Sequence, residues 1–348
     1  MLFLILACQH PTSPRSAGDE PILPAPEAPV YATGPSRPRD ALVASVSRDL
    51  PWEEALSGAA GSLALGGHAP TSLGETQWAA WRAGYPYAVR SLSFAEAAPG
   101  QIPAGLVEQL SGQLRPDDQV GLARARVGSR DVWVGLIAHR SVPLAPFARE
   151  LALGATLTVQ PEGAATWTLV SPTGALTRGA APLQQPLGEA GEWFVELRDP
   201  SGALLVGAPV YVGLPAPPDP PLALPGVAPQ GEGEALAQAH EGLNSARAIF
   251  DLGDVSPDDN LDHLLGASLQ AALDGRWDAA AAADRLRAAG YEARVATCKA
   301  STVPLCLDSL LRSAEGRAAL LVPDARYGGL AAQVSTAGVT LVVGLADE

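Results

Sequence analysis

Two proline-dense stretches constrain this chain of 348 residues more than any other feature. The first runs from Gln9 to Asp40 and carries Pro11, Pro14, Pro21, Pro24, Pro26, Pro29, Pro35 and Pro38. The second runs from Leu214 to Gly233 and carries Pro215, Pro217, Pro218, Pro220, Pro221, Pro225 and Pro229. Proline locks φ and has no N–H to donate, so neither stretch can be a helix interior or a central strand. Both read as extended spacers. They cut the chain into a short leader, a disordered tether over 9–39, a folded block over 40–213 and a last block over 234–348, with 214–233 as linker.

The residues ahead of the tether point to export. Met1 to Ala7 are apolar and small, and Ile5-Leu6-Ala7-Cys8 resembles the lipobox of bacterial lipoproteins. In that family the cysteine becomes the acylated first residue of the mature chain. The resemblance implies a signal peptide over 1–8, a lipid on Cys8 and a body held off a membrane by the tether. The leader departs from the usual pattern in having no Lys or Arg and a short apolar core.

Within the first block, residues 40–145 form an α+β unit. Apolar spacing predicts helices over 41–46, 52–65, 76–83 and 102–114. Alternation predicts strands over 120–127 and 132–138, a hairpin around Gly128-Ser129-Arg130-Asp131. Residues 146–213 carry short strand-like pieces over 156–159, 166–170, 193–197, 203–206 and 210–212. Pro172-Thr173-Gly174 and Asp199-Pro200-Ser201-Gly202 supply turn chemistry. That spacing predicts a small β-sandwich of immunoglobulin-like type. Its strand over 193–197 is expected to turn Trp193, Val195 and Leu197 inward and Phe194 and Glu196 outward.

The last block predicts helices over 234–250, 261–273, 277–289 and 307–321, and a continuously apolar strand over 338–345. Asn260 or Asp262 is the expected cap of the second of these helices. Cys298 and Cys306, in an exported chain, are expected to pair as a structural disulfide rather than a redox couple.

Asn244-Ser245-Ala246-Arg247, then Asp284-Arg285-Leu286-Arg287-Ala288-Ala289-Gly290-Tyr291, then Ser313-Ala314-Glu315-Gly316-Arg317 follow one another in the order seen in bacterial members of the CAP superfamily, the cysteine-rich secretory and pathogenesis-related type of extracellular domain. The segment resembles that family over roughly a third of the chain. The resemblance implies an α-β-α sandwich and a cleft in which two His and one or two Glu can hold a divalent metal. The positions that match those ligands carry other residues: Trp277-Asp278 and Gly316 for the histidines, Thr297-Cys298-Lys299 for the glutamate. His240 and His263 fall elsewhere. The expectation is a cleft without its metal centre and no cofactor. The first unit echoes the last, with Pro116-Asp117 matching Pro323-Asp324 and Ala83-Gly84-Tyr85 matching Ala289-Gly290-Tyr291. A diverged second copy of the same fold accounts for this, and so does chance in Ala-, Gly- and Leu-rich sequence.

Composition narrows function by exclusion. The formal charge of −14 and a single lysine, Lys299, leave no basic cluster to displace counterions from nucleic acid. No Gly-x-x-x-x-Gly-Lys loop and no Gly-x-Ser-x-Gly elbow is present. The expected role is a non-catalytic lipoprotein of the outer membrane, periplasm or cell surface. It would touch the membrane only through its lipid and bind an envelope protein, a lipid or a glycan. The alternative is a hydrolase- or peptidase-like enzyme with a rebuilt site using His68, His139 or His263.

Overall fold

The computed structural model describes residues 30–34, 38, 40–70, 73–140, 142–217 and 227–347. Cys8 and most of the proline-rich tether lie outside them. The chain is a mixed α/β protein with several separate sheets.

The described part begins earlier than the proline pattern suggests. Val30–Tyr31 (β1) pairs with Phe147–Ala148 (β5). Tyr31 is buried, its ring 4.9 Å from that of Phe147, and its hydroxyl donates to Pro209 O at 2.7 Å. An aromatic side chain that fills a core site and satisfies its hydroxyl outweighs the extended bias of the prolines around it. Val30 and Tyr31, expected within the tether, thus take part in the folded structure.

Helix α1 (Ala41–Val46) starts on the Asp40 carboxylate, which accepts from the N–H groups of Leu42 and Val43. Helices α2 (Glu54–Gly66) and α3 (Leu73–Arg82) follow. Next come β2 (Val89–Ala97), α4 (Leu106–Gln113) and the hairpin β3 (Asp118–Val127) and β4 (Arg130–His139). The three strands lie in the order β2-β4-β3. The sequence pattern missed β2 because Ser91, Ser93 and Ala95 dilute its alternation. Helix α2 lies flat on β3 at Gly121, where a Cβ would stand 2.3 Å from the Leu56 backbone. The glycine is what lets helix and strand approach so closely.

After β5 come β6 (Glu150–Leu151), β7 (Thr156–Val159), β8 (Thr166–Val170) and β9 (Leu176–Ala180). Then β10 (Leu183–Pro186), β11 (Gly191–Arg198) and β12 (Leu204–Val212) follow. They form a five-stranded sheet, β6-β12-β11-β8-β9, and a two-stranded ribbon, β10-β7. Residues 203–206 and 210–212, expected as two strands, are one: β12 bends at a register shift opposite Leu197 and Arg198 and continues through Pro209. The expected exposed face of β11 is also wrong. Phe194 is fully buried and Glu196 is 2% exposed, because other elements cover that face. From α3, the Trp81 indole donates to Gly207 O at 2.7 Å and meets the Phe194 ring edge-on at 5.9 Å. One apolar core therefore runs from α2 and α3 through both faces of the central strands.

The last part opens with α5 (Glu232–Ile249), β13 (Ser256–Pro257), α6 (Asp259–Leu273) and α7 (Ala279–Ala288). It continues through β14 (Glu292–Ala300), α8 (Val303–Leu311), α9 (Ala314–Leu320), β15 (Tyr327–Ser335) and β16 (Gly338–Asp347). The sheet order is β13-β15-β16-β14. Side chains split by parity. Leu341, Val343 and Leu345 of β16 join α5 and α8 in one core. Val342 and Ala346 join Leu261 and Leu265 of α6 and Leu286 of α7 in another. A strand covered on both faces reads as an unbroken apolar run, as 338–345 does. Two expectations fail here. Residues 307–321 are two helices, because Ser313 breaks the first and caps the second by accepting from Gly316 N at 3.1 Å. The cap of α6 is Asp258, which accepts from Leu261 N, while Asp262 accepts from Leu330 N on β15.

The first and last sheets share a plan. In each, an acidic residue caps the helix that crosses the hairpin: Glu53 for α2, Asp258 for α6. A short parallel bridge precedes each cap, Trp52 with Val120 and Pro257 with Gly328. The following helix ends on a left-handed glycine, Gly84 (φ 85°) or Gly290 (φ 97°). The next tyrosine N–H then reaches back five residues, Tyr85 to Ala80 O and Tyr291 to Leu286 O. Each edge strand, β2 or β14, pairs with the closing strand of its hairpin.

Glu53 is 1% exposed. Burial raises its pKa, against the opposing N–H donors of Gly34 and Ala55 and the charge of Arg140. A carboxyl raised in this way binds its proton more tightly folded than unfolded. Its contribution favours folding below the unfolded value of about 4.3 and is lost as pH rises through the folded value. Glu53→Gln is therefore expected to raise the Tm relative to wild type at pH 7, with the difference closing at pH 4. Melts at the two pH values check this; a variant less stable than wild type at pH 7 refutes it.

Candidate functional site

The residues that carry the family resemblance fold into structural roles. On α5, Asn244 clasps the loop after its own helix: Val255 N donates to Asn244 Oδ1 at 3.0 Å, and Asn244 Nδ2 donates to Val255 O at 3.3 Å. Arg247, one turn on, is fully buried. Its guanidinium donates to three backbone carbonyls, Gly253 (2.8 Å), Leu320 (3.1 Å) and Val322 (2.9 Å). Burial pulls its pKa down. Arg247 thus satisfies carbonyls that the end of α9 leaves open.

The segment 313–317 is the joint between the last block and the central sheet. Ser313 caps α9. Ala314 N donates to Glu196 of β11 at 2.9 Å. Arg317, 4% exposed, pairs with Glu192 of β11 and donates to Leu311 O at 2.9 Å. It also lies over the Phe194 and Phe250 rings, 4.9 Å and 5.1 Å from their centroids. Nearby, Asp308 of α8 reaches α3 of the first unit: a Cβ on Gly74 would sit 2.2 Å from its carboxylate. Burial raises the Asp308 pKa, with Arg312 opposing.

The residues present do not fit the metal that the resemblance implies. Gly316 supplies no donor and admits no side chain, since a Cβ there would stand 2.3 Å from Leu310 O. Asp278 is occupied as the cap of α7, accepting from Ala280 and Ala281. Thr297 donates to Leu341 O across the sheet, and Cys298 is bonded to Cys306. Among the described residues no group of three or more His, Cys, Asp or Glu side chains gathers closely enough to hold an ion.

The disulfide joins β14 to α8, with Cα atoms 5.3 Å apart and both sulfurs buried in the core. Replacing both cysteines by alanine is expected to cost about 2 kcal/mol by opening a short loop. Urea unfolding of the variant, and of wild type with and without reductant, measures it; overlapping transitions would sink the expectation.

Among the described residues the histidines are dispersed. His68 is exposed after α2, and His263 is exposed on α6. His240 lies part-buried on α5. His139 meets Asp118 across the first hairpin, Nδ1 to Oδ1 at 3.1 Å. The same buried carboxylate also accepts from Arg90 and from Arg115 N, so it ties the base of the hairpin together.

A groove that sequence reading did not anticipate opens beside α9. It is lined by Thr166, Trp167 and Thr168 of β8, Arg178 and Gly179 of β9, Glu196 and Arg198 of β11, and Glu315 of α9, around a volume of about 460 Å³. These residues come from segments more than a hundred positions apart. The signal in the sequence is only the run of polar residues alternating along β8.

No protein-family model matches the chain, and no curated protein matches it. Solved structures similar to it include a cysteine-rich secretory protein from Staphylococcus aureus subsp. aureus Mu50, at 14% identity, TM-score 0.29, covering 48% of this chain and 59% of that one. Another is an extracellular protein containing an SCP domain from Bacillus anthracis str. Ames, at 15% identity, TM-score 0.29, covering 56% of this chain and 68% of that one. The chain thus spans about three fifths of the length of the staphylococcal protein. Among the described residues no helix is long and apolar enough to cross a membrane.

Proposed function

We propose that the chain is an exported, lipid-anchored envelope protein that binds a partner rather than catalysing a reaction. Residues 40–145 and 234–348 are two diverged CAP-type units clamped on the β-sandwich of 146–213, with 214–233 as the connecting linker. The observation that carries the non-catalytic reading is the joint at 316–317. The family's histidine position has become a glycine with no room for a side chain, and the neighbouring arginine is spent on holding the central sheet. Anchoring rests on Ile5-Leu6-Ala7-Cys8, and the acidic charge supports an envelope protein, a lipid or a glycan as partner rather than nucleic acid. The two-copy reading is supported by the shared caps, Gly-Tyr stops and strand order of the first and last sheets.

The experiment is metabolic labelling of the full chain with an alkyne-tagged fatty acid, followed by crosslinking in intact cells. Label lost in Cys8→Ala and a reproducible crosslinked partner support the reading. A Cys8→Ala chain that keeps its label or stays membrane-bound refutes the anchor. The second reading, a rebuilt-site hydrolase, is favoured only by the His139–Asp118 pair; peptide or ester hydrolysis that disappears in His139→Ala would replace the binding role with it.

A further inference from the structure

The groove beside α9 has a chemistry of its own. Register fixes which side chains share its sheet face: Thr168 stands opposite both Arg178 and Glu196, and Thr166 opposite Arg198. Side chains of directly opposed residues lie on the same face. Trp167 and Leu197 point the other way, into the core. The face therefore presents hydroxyls and guanidiniums, with the Glu196 carboxylate buried beneath them, and Glu315 of α9 closes it from above.

We infer that this groove binds a neutral, hydroxyl-rich ligand, an oligosaccharide by chemical class. The inference rests on the binding role proposed above, not on the lipid anchor. Its charges decide the class. They balance, two cations against two anions, and each is already paired: Arg178 with Glu315 at 3.1 Å, Arg198 with Glu196 at 2.5 Å. An anionic ligand would have to displace Glu315 from Arg178, and Arg198 is already neutralised by the buried Glu196. A cationic ligand meets the converse obstacle at the two arginines. A hydroxyl ligand displaces neither pair, because ionised partners keep spare capacity. Arg198 commits Nε to Glu196 and Nη1 to Gly202 O, which leaves Nη2. Glu315 engages Arg178 through Oε1, which leaves Oε2 to accept. Thr166 and Thr168 each donate and accept. Sugar hydroxyls, which also do both, match such a set. The volume of about 460 Å³ falls in the ~300–1,000 Å³ range of small-molecule clefts.

The same geometry makes the site cheap to test. Arg178 and Glu315 are 60% and 61% exposed, so removing either leaves the fold intact. The test is calorimetric titration of the full chain with chitohexaose and cellohexaose as neutral probes, and with hexagalacturonate and the chitosan hexamer as anionic and cationic ones. Saturable binding of a neutral probe is expected, weakened about tenfold in Arg178→Ala and in Glu315→Ala, the loss of one charge-assisted hydrogen bond each. Arg287→Ala, an exposed pair-breaking change on α7, is expected to leave binding unchanged. The charged probes are expected to bind at least about tenfold more weakly. No saturable binding of either neutral probe overturns the inference. So does binding indifferent to both groove variants, or tighter binding of a charged probe. A silent titration leaves the Cys8 result standing, and an unlabelled Cys8 leaves the titration standing, so the two failures are distinguishable.

Discussion

Arg317→Ala is expected to destabilise the protein by about 3–5 kcal/mol, the cost of breaking a buried ion pair from one side. Arg317 is held by Glu192, by Leu311 O and by two aromatic faces, in a place where water cannot replace any of them. Deleting it strands the Glu192 carboxylate, whose side chain is 12% exposed, and opens the space between Phe194 and Phe250. Because the pair spans two parts of the chain, the loss is expected to separate them: α9 comes away from β11 before either sheet melts. Glu192→Gln should cost less, since it keeps an acceptor and leaves Arg317 its carbonyl. The double variant Arg317→Met with Glu192→Leu should recover most of the loss, because an apolar pair of similar volume needs no desolvation. Urea unfolding followed by tryptophan fluorescence and by limited proteolysis across 214–233 reads both effects. Arg317→Ala with a wild-type midpoint would refute this account of the joint.

Gly316→His, which places an imidazole where the sequence resemblance implies a metal ligand, is expected to destabilise by about 3 kcal/mol or more, the upper end of overpacking penalties. It is expected to gain no affinity for Zn²⁺. The obstacle is backbone: Leu310 O, Cα and C all lie within 2.7 Å of where the Cβ would go. A flexible side chain could swing aside; the end of α8 cannot, because Ser313 and Arg317 pin it. Gly316→Ala should already show most of the loss, since the first carbon makes the clash. Thermal melts of both variants, with zinc titrated calorimetrically, test this. A Gly316→His chain with a wild-type Tm, or one that binds zinc stoichiometrically, would refute this account of the position.

Much of the secondary structure was legible because its causes are local. Gly84-Tyr85 and Gly290-Tyr291 stop helices by a left-handed glycine and a backward N–H bond, and both are visible as dipeptides. The run over 338–345 was readable as a strand because both of its faces are covered. Strands β2, β14 and β15 were not, because Gly, Ala and Ser carry little of the period-two signal. At Gly329 the small residue is required by α6: a Cβ would meet Leu261 at 2.4 Å. The Cys298–Cys306 pairing was legible from spacing and compartment, and it stands.

The site was legible only in part. The motif residues Asn244, Arg247 and Arg317 could be picked out, but not that all three would serve as ties. Arg247 looks like any helical arginine until α9 delivers Leu320 O and Val322 O to it across more than seventy residues. Phe194 and Glu196 looked like the wet face of a strand until α3 and α9 landed on it.

From its residues alone, then, this chain declares where it cannot be regular and which segments coil or extend. Prolines, caps, glycine stops and apolar periods act over one to four positions, so neighbours in sequence suffice to read them. Tertiary structure alone decided that Arg317 would be sealed against Glu192, 125 positions away, and that Glu315 would lean over Arg178 to form a groove. The reason is that burial and ion pairing depend on which surfaces meet, and a surface is assembled from segments that carry no mark of one another.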